Sequence, residues 1–193
     1  MAQTHSDASK KERARTIRWV VTVFLVTLVV SGMISLISDE IMARSGLLAA
    51  FAILLGIVFL GIIFDTIGMA VATASEKPFH SMAARKVPGA QEAIRLLRNA
   101  ERVSSICNDV VGDICGVVSG SASPTIAALI LTHVDAVWPR AVSLSMSALV
   151  AGLTVGGKAS GKTVAVNSCT QIVHLVGRVL NTLNRLGKKK SLR

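Results

Sequence analysis

The 193-residue chain is 51% hydrophobic, has a mean hydropathy of +0.59 and carries a net charge of +10, which leaves a membrane protein or a binder of polyanions. Its basic residues are spread over three separate stretches, with no tyrosine and only 4% aromatic residues; the stacking surface of a nucleic-acid binder is missing, and no nucleic-acid partner is expected. Four long apolar runs in so short a chain leave no room for a separate soluble domain of ordinary size.

Residues 1–16 form a basic tail around Lys10, Lys11, Arg13 and Arg15. The apolar run over residues 17–38 exceeds the roughly 7 to 15 residues of a secretory signal and matches the roughly 20 that cross a bilayer. It reads as an uncleaved first transmembrane helix. Residues 46–74 form a second span, about 108–132 a third, and 141–157 a shorter fourth. Of the 21 Lys and Arg residues, five fall in the first 18 positions, six between Glu76 and Cys107, and eight from Lys158 onward; only Arg44 and Arg140 lie elsewhere. The positive-inside rule then places both termini and the middle connection in the cytoplasm, with the spans in the cell membrane.

Within the middle connection, residues 76–106, a Pro88-Gly89 turn separates two short helices, and Ala93, Ile94, Leu97, Ala100 and Val103 share one apolar face of the second. This predicts a cytoplasmic helical hairpin. Over residues 163–186, Ile172, Leu175, Val176, Val179, Leu180, Leu183 and Leu186 alternate with Gln171, His174, Arg178, Asn181 and Arg185. Such a helix is amphipathic and not a fifth span. Two placements satisfy its apolar stripe: packing on the protein's own helices, or lying at the inner interface, where the tail at 187–193 brings Lys188, Lys189 and Lys190 to anionic lipid headgroups. The expected fold is therefore all-α and polytopic: four transmembrane helices, a cytoplasmic hairpin, and a C-terminal amphipathic helix at the membrane lipid surface.

Acidic residues in this apolar setting are the main functional signal. Asp109 and Asp113 are four residues apart in the third span, beside Asn108, and Asp65 sits late in the second next to Thr66. A carboxylate in a bilayer costs roughly 2.5 to 3.5 kcal/mol on insertion scales, so such groups mark a pathway or a polar cavity. Asp65, Thr66, Asn108, Asp109 and Asp113 together offer the oxygen ligands that a hard cation such as magnesium takes. The i, i+4 spacing of Asp109 and Asp113 places them on one helix face. Gly112, Gly116 and Gly120 form a small-residue stripe where a neighbouring helix can approach, and irregular backbone at Gly68 or Gly112 adds carbonyls. Structural alternatives are a helix-capping role for Asp109 and an ion pair of Asp113 with Lys158 or Lys162.

Other motifs carry less. The stretch from Gly156 to Thr163 matches the phosphate-cradling pattern G-x-x-x-x-G-K-T, but neither the preceding strand nor an acid after Lys158 is present to complete a nucleotide site. No enzyme activity is expected. Cys107, Cys115 and Cys169 imply no disulfide framework. His80, His133 and His174 are dispersed, which disfavours an imidazole metal site, and Ser104, Ser105, Ser119 and Ser121 read as helix-packing hydroxyls, Ser104 being one turn from Asn108.

Read in order, an apolar helix, a hairpin, an Asn at the start of the next helix, a third helix, a Gly-x-x-x-x-Lys-Thr turn and an amphipathic helix resemble the transmembrane domain of the cyclin M and CorB/CorC magnesium and cobalt transporter family over residues 46–186. Gly89-Ala90 with Ala93-Ile94-Arg95-Leu96-Leu97 and Asn99 looks like that family's hairpin, and Asn108 stands at the Asn of its Gly-Asn-Thr signature. Gly157-Lys158-Ala159-Ser160-Gly161-Lys162-Thr163 looks like its Gly-Glu-Ile-x-Pro-Lys-Thr turn, and Phe64-Asp65-Thr66-Ile67-Gly68-Met69-Ala70 like its Phe-Ser-x-x-Glu-x-Ala segment. Gly68 and Lys158 replace the family's glutamates, Gly161 its proline, and Asp65 its serine. The resemblance implies transport of a divalent cation, magnesium first and cobalt second, by a homodimer with no covalently bound cofactor and with regulation left to a separate cytoplasmic protein. A non-transporting membrane scaffold or regulatory subunit is the alternative that keeps the same architecture.

Overall fold

The structure is a computed structural model that describes residues 2–133 and 138–190. It is all helical among those residues: α1 (Ala2–Arg44), α2 (Leu47–Thr73), α3 (Lys77–Ala84), α4 (Ala90–Arg98), α5 (Ala100–Ser105), a π-helical segment (Ile106–Gly112), α6 (Asp113–Leu131), α7 (Pro139–Asn167) and α8 (Cys169–Lys190). The tail at 191–193 lies outside the described residues, as do the side chains of Lys188, Lys189 and Lys190.

Four helical stretches are long and apolar enough to cross a membrane: Arg15–Met42, Leu47–Thr73, Ala100–Leu131 and Pro139–Asn167. The chain is thus a multi-pass membrane protein, and α1 shows the reason plainly. Ile17, Val20, Phe24, Leu28, Leu36 and Ile37 are all more than half exposed, and apolar residues all round a helix belong in lipid. The side of α1 turned to the protein carries small polar residues, with Met42 buried near its end. Ser31 and Ser38 are buried, and the Ser35 and Ser121 hydroxyls meet at 3.2 Å between α1 and α6.

Two apolar cores hold the bundle. One joins Met42, Ala50, Leu54, Val58, Ala122, Ile126, Met146 and Val150 from α1, α2, α6 and α7. The other lies near the far end of α2 and joins Ala70, Val71, Phe79, Ala93, Leu97, Ala165 and Val173 from α2, α3, α4, α7 and α8. Between them runs a layer of glycines and polar side chains, where the candidate site lies.

Two spans are longer than the apolar runs alone predict. The third is one continuous helical stretch from Ala100 to Leu131, and its π turn falls on the acidic segment. The fourth continues past the expected end at residue 157, and its break falls at Ser168 (φ −123°, ψ 24°), not in the Gly157–Thr163 stretch. Those glycines serve packing instead of a turn: a Cβ on Gly157 would collide with Ile62, and one on Gly161 with the Thr66 hydroxyl. As part of α7, residues 156–163 form no phosphate-cradling loop.

Gly89 carries a φ of 87° at the start of α4, a left-handed conformation that favours glycine. Its backbone also lies against α8, where a Cβ would stand 2.5 Å from the Arg178 amide nitrogen. A hydrogen bond from Asn181 Nδ2 to Glu92 Oε2 at 3.2 Å ties α8 to α4 beside this contact. While α8 buries Val173 and Gly177, its residues Leu175, Val179, Leu183 and Leu186 remain more than half exposed.

Candidate functional site

The middle layer is built where α2, the π-helical segment and α7 approach one another at glycines that make room for polar side chains. On α2, Asp65 and Gly68 are one turn apart and face the π-helical segment. Gly68 has no Cβ because Asn108 occupies the space: a methyl there would overlap the amide oxygen and lie 2.8 Å from Asn108 Cγ. Further along the segment, Gly112 borders three groups at once. A Cβ on Gly112 would be 3.3 Å from the Cys107 carbonyl oxygen, 3.5 Å from Lys158 Nζ and 3.7 Å from Asp65 Oδ1.

Asp65 is only 6% exposed, and its Oδ2 has no hydrogen-bond partner. A buried charged oxygen in that condition is costly, since it has lost water and gained nothing in return. Asn108 repeats the pattern. Its Nδ2 donates a long 3.4 Å hydrogen bond to Ser104 Oγ, while its Oδ1 is buried and unpartnered. Both orphaned atoms are hard oxygen acceptors, and both stand along the junction of α2 with the π turn. Single π turns inside α-helices are frequent at functional sites, because the extra residue re-aims side chains that an unbroken α-helix would stack in line.

Lys158 enters this layer from α7. Its ammonium donates to the Gly112 carbonyl at 3.1 Å and lies 3.6 Å from Asp113 Oδ1. The lysine side chain is 21% exposed and that of Asp113 65%, so the pair runs from the rim of the layer inward. Pairing of Asp113 with Lys158 is thus the arrangement adopted, with a backbone carbonyl as the lysine's closer partner.

The five residues singled out by sequence separate into three groups. Asp65 and Asn108 both lie along the contact of α2 with the π segment, Asp65 beside Gly112 and Asn108 against Gly68. Thr66 turns toward α7, donating to the Ile62 carbonyl at 2.7 Å with its oxygen against Gly161. Asp109 and Asp113 point elsewhere: Asp109 is exposed and accepts a 2.7 Å hydrogen bond from Ser105 Oγ, and Asp113 meets Lys158. Asp109 caps no helix start, because the helical stretch begins at Ala100. Gly116 and Gly120 face open space, with nothing within 4 Å of an added Cβ; of the expected glycine stripe, only Gly112 is used in close packing. Gly61 is a glycine contact that sequence reading missed. A Cβ there would be 2.8 Å from Cys115 Cβ.

Among the described residues no group of three or more His, Cys, Asp or Glu side chains is placed to hold a metal ion. The contact of α2 with the π segment offers the Asp65 carboxylate, the Asn108 amide oxygen and nearby backbone carbonyls. That donor set suits a hard cation that keeps part of its water shell and does not suit one that demands several anionic or thiolate ligands. The three cysteines are free. No protein-family model, no curated protein and no solved structure matches the chain.

Proposed function

We propose that this protein moves a divalent cation across the membrane, with Asp65 and Asn108 as oxygen donors of the membrane site. The observation that carries the reading is the pair of buried, unpartnered oxygens, Asp65 Oδ2 and Asn108 Oδ1, at the π-helical break. Both are acceptors that a cation satisfies, and an intramembrane acid of this kind is a functional residue by default. Magnesium is the first cargo, cobalt the second. Magnesium is commonly held by one or two carboxylates while it keeps several waters, which matches a site with a single interior carboxylate. The resemblance to the cyclin M and CorB/CorC transporters points the same way, and with it comes a homodimeric assembly and a separate cytoplasmic regulator.

In this reading the three basic segments face the cytoplasm. The cytoplasmic hairpin is α3 and α4, and α8 rests at the inner interface. Its exposed Leu175, Val179, Leu183 and Leu186 meet the lipid, and Arg178 and Arg185 meet headgroups.

The test is flux of magnesium and cobalt into liposomes containing the purified chain. Transport above protein-free liposomes that Asp65→Asn abolishes supports the reading; flux equal in both proteins rejects it. One observation favours a second reading. The ammonium of Lys158 already stands beside the site, as in a membrane scaffold that kept the architecture and closed the pathway. Absence of flux and of cation binding in the parent chain selects that reading.

A further inference from the structure

Lys158 is the one cationic side chain that the described residues bring to the polar layer. Asp65 lies on its inner side and Asp113 on its outer side. Its Nζ is 3.1 Å from the Gly112 carbonyl oxygen and 3.6 Å from Asp113 Oδ1, and both Nζ and Asp65 Oδ1 border the same face of Gly112. A backbone carbonyl and a carboxylate are oxygen ligands for a metal ion as much as they are acceptors for an ammonium. The lysine thus takes up the outer oxygens and leaves the deeply buried Asp65 Oδ2 without a partner.

We propose that Lys158 is a tethered cation that competes with the transported ion and sets the selectivity of the site. Resting on the cation-site reading above, it goes further by naming what a metal must displace. With the ammonium in place, the charge of one of the two carboxylates is cancelled, so a divalent ion meets a weaker field than the two acids alone provide. An ion reaching Asp65 drives the lysine outward along Asp113, whose carboxylate is exposed and offers the ammonium a resting place in water. Lys158 is therefore a specificity-determining residue, and metal and ammonium exclude one another.

The experiment measures thermal unfolding of the purified full chain while magnesium, cobalt and sodium are titrated, for wild type, Lys158→Gln, Asp65→Asn and the double variant. Lys158→Gln is expected to respond to magnesium at a concentration lower by roughly ten-fold or more, since a nearby unit charge has been removed, with a smaller change for sodium. The double variant is expected not to respond. A Lys158→Gln response at the wild-type concentration overturns the competition and leaves the cation site standing. No response to any cation in wild type or Lys158→Gln overturns both. Amine acylation of the wild-type chain, read by mass spectrometry, tests the idea without a variant: saturating magnesium is expected to raise labelling of Lys158 at least about three-fold relative to Lys162 as the side chain moves into water. Unchanged relative labelling while magnesium shifts the unfolding temperature overturns the proposal.

Discussion

The apolar core around Leu54, Val58, Ile126 and Val150 and the polar layer around Asp65, Gly68, Asn108 and Gly112 are neighbours on the same helices, yet they hold those helices together in opposite ways. In the core, contact is made by side chains that fill space, with Leu54 and Val58 buried to within 3%. In the layer, contact is made by leaving side chains out: Gly68 admits the Asn108 amide, and Gly161 admits the Thr66 hydroxyl. Interhelical dispersion and close backbone approach replace the hydrophobic effect inside a bilayer, so both arrangements bind helices. Only the second places polar groups there and leaves two buried oxygens unsatisfied. Unsatisfied groups of this kind are destabilising, and the well-filled core a few turns away supplies the stability that tolerates them.

The sharpest way to break the comparison is to neutralise the layer. Asp65→Asn keeps the shape of the side chain and removes its charge. Magnesium and cobalt flux, and any thermal shift caused by these ions, are expected to be lost entirely. Stability without added cation is expected not to fall, because a buried, unpartnered carboxylate oxygen costs more than a buried amide. Unfolding measured in detergent with and without magnesium reads both effects at once; a marked loss of stability in the absence of ion would show Asp65 to be a structural residue.

Adding an atom comes next, and deleting some follows. Gly68→Ala puts a methyl into the space of the Asn108 amide, 3.0 Å from Cys107 Cβ, which costs about 1–3 kcal/mol by overpacking and displaces the π segment. Ion-dependent stabilisation is expected to disappear with it. In the core, Leu54→Ala removes packing from a residue only 2% exposed, at a cost of about 2 kcal/mol, below most of the aqueous range because lipid solvates an exposed Leu as well. Its magnesium midpoint is expected to match wild type. A shift in that midpoint would mean that the two regions are coupled and the separation between them is artificial.

Much of the architecture is legible in the sequence because hydropathy is a property of composition. Four apolar runs become four spans; Gly89, at positive φ, precedes α4, which ends at Arg98, before the Ala100 and Val103 expected on that helix. Helix ends are less legible: Lys158 and Lys162 look like the end of a span, but a lysine with a carbonyl and a carboxylate within reach continues inside one. The π turn is not legible at all, since Ile106–Gly112 has no periodicity that marks it. Nor does spacing assign partners: Asp109 bonds Ser105, Asp113 lies beside Lys158, and Asn108 packs against Gly68.

Those different partners yield the smallest and most discriminating prediction. Asp109 and Asp113 carry the same charge, four residues apart, and a reading based on composition treats them alike. In the structure Asp109 faces outward with a local Ser105 hydrogen bond, whereas Asp113 touches the lysine beside the site. Asp109→Asn preserves an acceptor for Ser105 and removes an exposed charge, so stability is expected to change by no more than about 0.5 kcal/mol and the magnesium midpoint not to move. Asp113→Asn frees Lys158 from its outer partner and is expected to shift that midpoint measurably. Equal effects of the two variants on ion-dependent unfolding would mean that both acids serve one site and that their different partners do not distinguish them in the working protein.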